Sequence, residues 1–174
     1  MAPADRLAAA LQVLAPGYTY ESTVAVGGKL ATRADGRWIG GAAEIVVESG
    51  GASITYRTVP PRSWAQEQDG SWVELEGQVP GGDPLDRLLN PRAAEVERGA
   101  TDTISIRATY APAALGLAGS DPVTVTLAIA ADGSVSARYV VDTKAGTATS
   151  TTVFYPAPSQ APIVAPSAAP SARP

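Results

Sequence analysis

Pairs of turn-forming residues divide this chain into short runs whose apolar side chains recur at every second position. That pattern limits it to a largely antiparallel β-fold. Gly27-Gly28, Gly40-Gly41, Gly50-Gly51, Asp69-Gly70 and Asp132-Gly133 all interrupt such runs. Across Tyr18–Val26, Tyr18, Tyr20, Ser22, Val24 and Val26 share one face. Lys29–Ile39 reads as a second strand. A two-residue turn at Gly50-Gly51 pairs Val47 with Ile54 and Ile45 with Tyr56, which brings four apolar side chains onto one face. In the Arg62–Glu76 stretch, RSWAQEQDGSWVELE, a two-residue Asp69-Gly70 loop puts Trp64 on a face with Val73 and Leu75, and Trp72 with Glu67 and Glu74. A three-residue loop would put both tryptophans on one face; the first register gathers the apolar residues and is favoured. Trp64 is then core and Trp72 half-exposed.

Further along, Thr103–Tyr110 alternates, with Ile104, Ile106, Ala108 and Tyr110 on one side. A three-residue loop at Ala131–Gly133, with Gly133 left-handed, pairs Ile129 with Val135, Leu127 with Ala137, Val125 with Tyr139 and Val123 with Val141. A last strand covers Thr147–Tyr155. Helical signals are few. Leu7, Leu11 and Leu14 form a stripe within Pro3–Ala15, which Pro16-Gly17 ends. Asp83-Pro84 opens a helix with Leu85, Leu88 and Leu89 on its apolar face, closed by Asn90-Pro91. Pro112–Leu117 reads as a single helical turn. Residues 78–82 form a loop. Residues 156–174, nearly all Pro, Ala and Ser, read as an extended, flexible tail with little to bury, leaving one domain over residues 1–155.

Composition removes most chemistry. With no His and no Cys among 174 residues, the usual ligands for zinc, haem and iron–sulfur clusters are missing, along with cysteine nucleophiles and His-based triads. Gly27-Gly28-Lys29 lacks the spacing of a phosphate loop, and no G-x-S-x-G occurs. Glu67, Glu74 and Glu76 fall where solvated strand faces are expected. A net charge of −4 without a basic cluster argues against nucleic acid. No apolar run approaches the ~20 residues of a membrane span. The expectation is a non-enzyme with no cofactor.

The order of an N-terminal helix, a meander containing the Trp64–Trp72 hairpin, a helix opened by Asp83-Pro84-Leu85, and a strand ending at Tyr110 carries a resemblance. So do the segment APAALGLAG (Ala111–Gly119) and the meander Val123–Tyr155 that follow. Over roughly residues 5 to 165 the chain resembles the LolA-like superfamily of lipoprotein carriers, and most closely its LppX/LprG-type branch of cell-envelope lipoproteins. The resemblance implies a curved antiparallel half-barrel, mainly β with a few helices covering the concave face, and an apolar cavity that receives acyl chains. It implies an extracytoplasmic monomer that binds a lipid or lipidated ligand. No lipobox cysteine is present, so membrane association would depend on an N-terminal anchor outside this sequence.

On that basis the cavity lies between the leucine stripes and the sheet. Its lining is expected from Leu11, Leu14, Leu85, Leu88 and Leu89 on one side, and from Ile45, Val47, Ile54, Tyr56, Val125, Leu127, Ile129, Tyr139 and Val141 on the other. Large apolar residues are few, with one Phe and one Met, so Ala-rich helices over a broad sheet suit unfilled volume. The alternative is a structural or sensory domain of the envelope with a filled core, binding a protein partner through Trp72 and the exposed sheet face.

Overall fold

The computed structural model describes residues 1–76, 82–97 and 102–167. Among the described residues are one α-helix, α1 (Pro3–Leu14), and eleven strands: β1 (Tyr18–Val26), β2 (Lys29–Ile39), β3 (Ala42–Ser49), β4 (Ala52–Val59), β5 (Arg62–Gln66), β6 (Trp72–Leu75), β7 (Ala93–Glu97), β8 (Thr103–Tyr110), β9 (Val123–Ala130), β10 (Val135–Thr143) and β11 (Gly146–Pro156). All eleven form one antiparallel sheet in the order β6-β5-β4-β3-β2-β1-β11-β10-β9-β8-β7. The sheet is open, with β6 and β7 at its edges, as a half-barrel would be. Two meanders are joined at the centre by the first and last strands, which pair from Tyr18 opposite Pro156 to Val26 opposite Ala148.

The glycine pairs act as the sequence implies. Both members of Gly27-Gly28, Gly40-Gly41 and Gly50-Gly51 have positive φ, the geometry of the two-residue hairpin turns that match strand twist. The Gly50-Gly51 hairpin has the expected register, Val47 opposite Ile54 and Ile45 opposite Tyr56. The tryptophan hairpin takes the other register. Trp64 lies opposite Glu74 and Gln66 opposite Trp72, so both tryptophans share a face. Asp69 causes this shift. Its Oδ1 accepts from the Ser71 N–H at 2.9 Å and the Ser71 hydroxyl at 2.6 Å, Gly70 is left-handed, and the Glu67 N–H reaches the Ser71 carbonyl at 2.8 Å around a three-residue loop. The loop at Ala131–Gly133 is built the same way, with Asp132 accepting twice from Ser134.

The expected pairs Ile129–Val135, Leu127–Ala137 and Val125–Tyr139 all form, but Val123 does not pair with Val141. The next hydrogen-bonded rung in that register, Thr124 with Val140, is not made, and at the one after it, Pro122 with Asp142, the proline has no N–H to donate. From that point β9 follows β8 and β10 follows β11.

One expected element is shorter than the sequence suggested, and one was missed. The Asp83 helix is a single 3-10 turn, Asp86–Leu88, since only a few residues separate Pro84 from Asn90-Pro91. Pro112–Leu115 forms the anticipated single turn, ended by left-handed Gly116. Ala93–Glu97 is the edge strand β7, a stretch to which the sequence pattern assigned no element. The loop expected at 78–82 lies outside the described residues except for Gly82.

One face of the sheet carries the core. Leu7, Leu11 and Leu14 of α1 are buried with Ile106, Ala108, Tyr110, Val125, Leu127, Val135 and Phe154. The helix packs against β7 and β11. At the centre, Tyr18 stacks on Trp38 (centroids 6.4 Å apart, 6° between planes) and meets Phe154 edge-on at 5.6 Å.

The opposite face is crossed by the residues that follow β11. The Ala157 N–H donates to the Gly17 carbonyl at 2.8 Å, and the Gln160 side-chain amide to the Trp38 carbonyl at 2.8 Å. Arg37 then holds the Ala161 carbonyl at 2.9 Å and Arg57 the Val164 carbonyl at 3.3 Å. Between these two anchors Ile163 is 7% exposed. Trp64, directly opposite Arg57 in the register, is 9% exposed. The expectation that nothing after Tyr155 packs therefore fails for 157–164. Its backbone carbonyls meet guanidinium groups on β2 and β4, a pairing that no local pattern reveals. Residues 168–174 of the expected tail lie outside the described residues.

Candidate functional site

Where the cavity was expected, the α1 leucines are buried against the sheet in one cluster. Leu14, Val125 and Leu127 are each 0% exposed, Leu11 is 1% and Leu85 is 6%, with Ile45 at 6% in the same cluster. Val47, Tyr56 and Ile129 pack partly buried against its rim. Ile54, at 42%, and Leu89, at 46%, are exposed. Ile54 lies close to the Gly50-Gly51 turn, and Leu89 follows a cover that lasts one turn only.

An open chamber does exist, displaced toward the middle of the sheet. It measures about 160 Å³. Its floor is Ser22 and Val24 of β1, Ala137 and Tyr139 of β10, and Ser150, Thr152 and Phe154 of β11, all on the core-bearing face. Its roof is Arg87, Leu88 and Leu115 from the two 3-10 turns, with Pro84 just before the first. Of the residues expected to line a cavity, Leu88 and Tyr139 do so here. Ser22, Val24, Ala137, Leu115 and Phe154 were not foreseen. Most of the unforeseen floor belongs to the β1–β11 junction, which brings together segments from opposite ends of the chain. The lining is mainly apolar but has a hydroxyl stripe, in which Ser22 and Thr152 are hydrogen-bonded at 2.9 Å beside buried Ser150.

Hydrogen bonds fasten the roof to the core. The Tyr18 hydroxyl donates to Asp83 Oδ1, which also accepts the Leu85 N–H at 2.8 Å. The Tyr110 hydroxyl donates to the Leu88 carbonyl at 3.0 Å, and Arg87 Nη1 to the Leu115 carbonyl at 3.4 Å, tying one turn to the other. Burial raises the Asp83 carboxyl above the usual carboxylate range, against the lowering effect of the Tyr18 hydrogen bond. Burial also raises the phenols: Tyr20 is pushed up to about 12, and Tyr18 and Tyr110 are raised as well. These phenols therefore remain protonated at any ordinary pH, and Tyr18 and Tyr110 keep donating.

Next to the chamber, where β9 and β10 separate, lies a groove of about 910 Å³. Tyr139 lines both spaces. On the outer sheet face, Arg57 lies over the half-buried Trp72 ring at 4.7 Å and is paired with Glu44 at 2.5 Å.

Fold and site define a class: an open antiparallel sheet with one packed helix and a lightly roofed, mostly apolar chamber at its centre. The sequence matches no protein-family model and no curated protein.

Proposed function

We propose that the chain is a non-enzymatic lipid-binding domain of LolA-like type, acting in the cell envelope outside the cytoplasm, which holds an acyl chain between its sheet and roof. The observation supporting this is the chamber bounded by Val24, Leu88, Leu115, Ala137 and Phe154. Burying a methylene there contributes ~0.8 kcal/mol, so a short length of chain supplies useful affinity without bond chemistry. The roof suits an adjustable volume, since single turns held by a few hydrogen bonds open at lower cost than a packed helix. Native mass spectrometry after gentle extraction from a lipid-rich host tests the reading. A bound mass in the range of a lipid is expected, and a bare polypeptide mass from several hosts would count against it.

A second reading has its own supporting observation. The Arg57–Trp72 stack on the outer face is the kind of half-buried aromatic and guanidinium pair that anchors protein contacts. In that case Trp72→Ala abolishes capture of an envelope partner and leaves lipid content unchanged.

A further inference from the structure

The groove beside the chamber differs from an ordinary surface hollow in its lining. A hollow on one face of a sheet is lined by alternate residues of each strand. This one is lined by Val123 and Val141, which point to the core face, and equally by Thr124 and Val140, which point to the other. It is a wedge through the sheet, open where the β9–β10 ladder stops at Val125–Tyr139.

The hydrogen-bond parity of the ladder identifies which backbone groups face the wedge. The Ala130 N–H donates to the Ser134 carbonyl, so even-numbered residues of β9 and β10 direct their N–H and C=O groups toward each other. Beyond the last rung, Thr124 on one lip and Val140 and Asp142 on the other still point both groups into the gap. Among the described residues no strand pairs with them there. Each lip thus offers a donor and an acceptor side by side. The charges around the gap, Arg138 and Lys144 against Asp121 and Asp142, are balanced and select neither an anion nor a cation.

We propose that this wedge seats the polar head of the ligand, a group that both donates and accepts hydrogen bonds as a glycerol or amide does, while the attached apolar chain passes Tyr139 into the chamber. The inference rests on the lipid-binding reading and adds the ligand's chemical class and orientation. A bare hydrocarbon end would leave the lip groups unmatched, whereas a donor–acceptor head satisfies them on both sides.

Competition against a fluorescent fatty acid tests it, with two probes of equal chain length: a monoacylglycerol, and the methyl ester of the same acid, which has no donor. The intact chain should bind the monoacylglycerol about tenfold more tightly. Because the sequence contains no cysteine, Val140→Cys provides a unique thiol at a position 44% exposed, and a bulky maleimide there fills the wedge. The affinity ratio should then collapse toward one. Equal binding of both probes by the intact chain, or a ratio untouched by the label, overturns the head-group assignment while lipid binding stands. A label that abolishes both probes alike overturns the division between head and chain. Failure of the fluorescent acid and both probes to bind the intact chain removes the lipid reading itself.

Discussion

Asp83 acts as an acceptor for the Leu85 N–H, a hook for Tyr18, and a partly buried charge that the fold would rather keep neutral. Its folded carboxyl titrates above its unfolded value. Between those two values the folded protein holds the extra proton, so this residue's effect on stability improves as pH falls through the window and is least favourable above it. Asp83→Asn keeps an oxygen for both donors without the charge. It should melt at or above the wild-type temperature at pH 7, with the difference vanishing below about pH 3.8, near the ordinary Asp value. Asp83→Ala removes both bonds and should cost about 1 to 3 kcal/mol in urea unfolding. Asp69 and Asp132 have the opposite sign. Serine donors hold them below the usual range, so their contribution is present above the unfolded value and is lost as pH falls through the folded one. The chamber and the core also respond differently to added bulk. Ala137→Trp should remain folded, cost about 1 to 3 kcal/mol and lose bound lipid, because the new ring occupies the chamber. Leu127→Trp, at a fully buried site in the core cluster, should give little soluble protein.

At the scale of elements, legibility followed the distance over which a cause acts. The Gly-Gly hairpins, the α1 stripe and the Ala131–Gly133 loop depend on neighbouring residues and were readable. The tryptophan hairpin was read in the wrong register although its Asp-Gly-Ser repeats the chemistry at Asp132-Gly133-Ser134; the serine donor was the available signal. The chamber and the docked 157–164 segment were not readable, because each forms between segments more than a hundred residues apart. That segment yields a prediction. Ending the chain after Ser159 deletes Gln160, Ile163 and the carbonyls bound by Arg37 and Arg57. It should destabilise by roughly 2 to 4 kcal/mol, from one buried isoleucine and a few net hydrogen bonds. Ile163→Ala should reproduce much of that loss in the same calorimetric comparison.

For the molecule as a whole, the decisive contact is the one between β1 and β11. Each meander is a run of local hairpins, but the core that α1 buries is completed only when both ends of the chain have met. A fragment of residues 1–76 contains β1 to β6 and lacks every residue of the Val125, Leu127 and Val135 cluster, so it should show no cooperative melting. The long closure also makes folding slow for this size, since ordering nearly the whole chain precedes the last gain. The same pairing governs the response to force. β1 begins at Tyr18 opposite the final β11 residue, Pro156, so the two chain ends leave the central ladder at the same end. Tension between the termini would first lift the 157–164 segment and then open the ladder one rung at a time from Tyr18–Pro156. It would not shear all the rungs together, so the molecule is a zipper whose slider sits at its own ends. Pulled between its termini it should yield at low force, while the same sheet pulled along β1 from Tyr18 against Ala148 should resist far more.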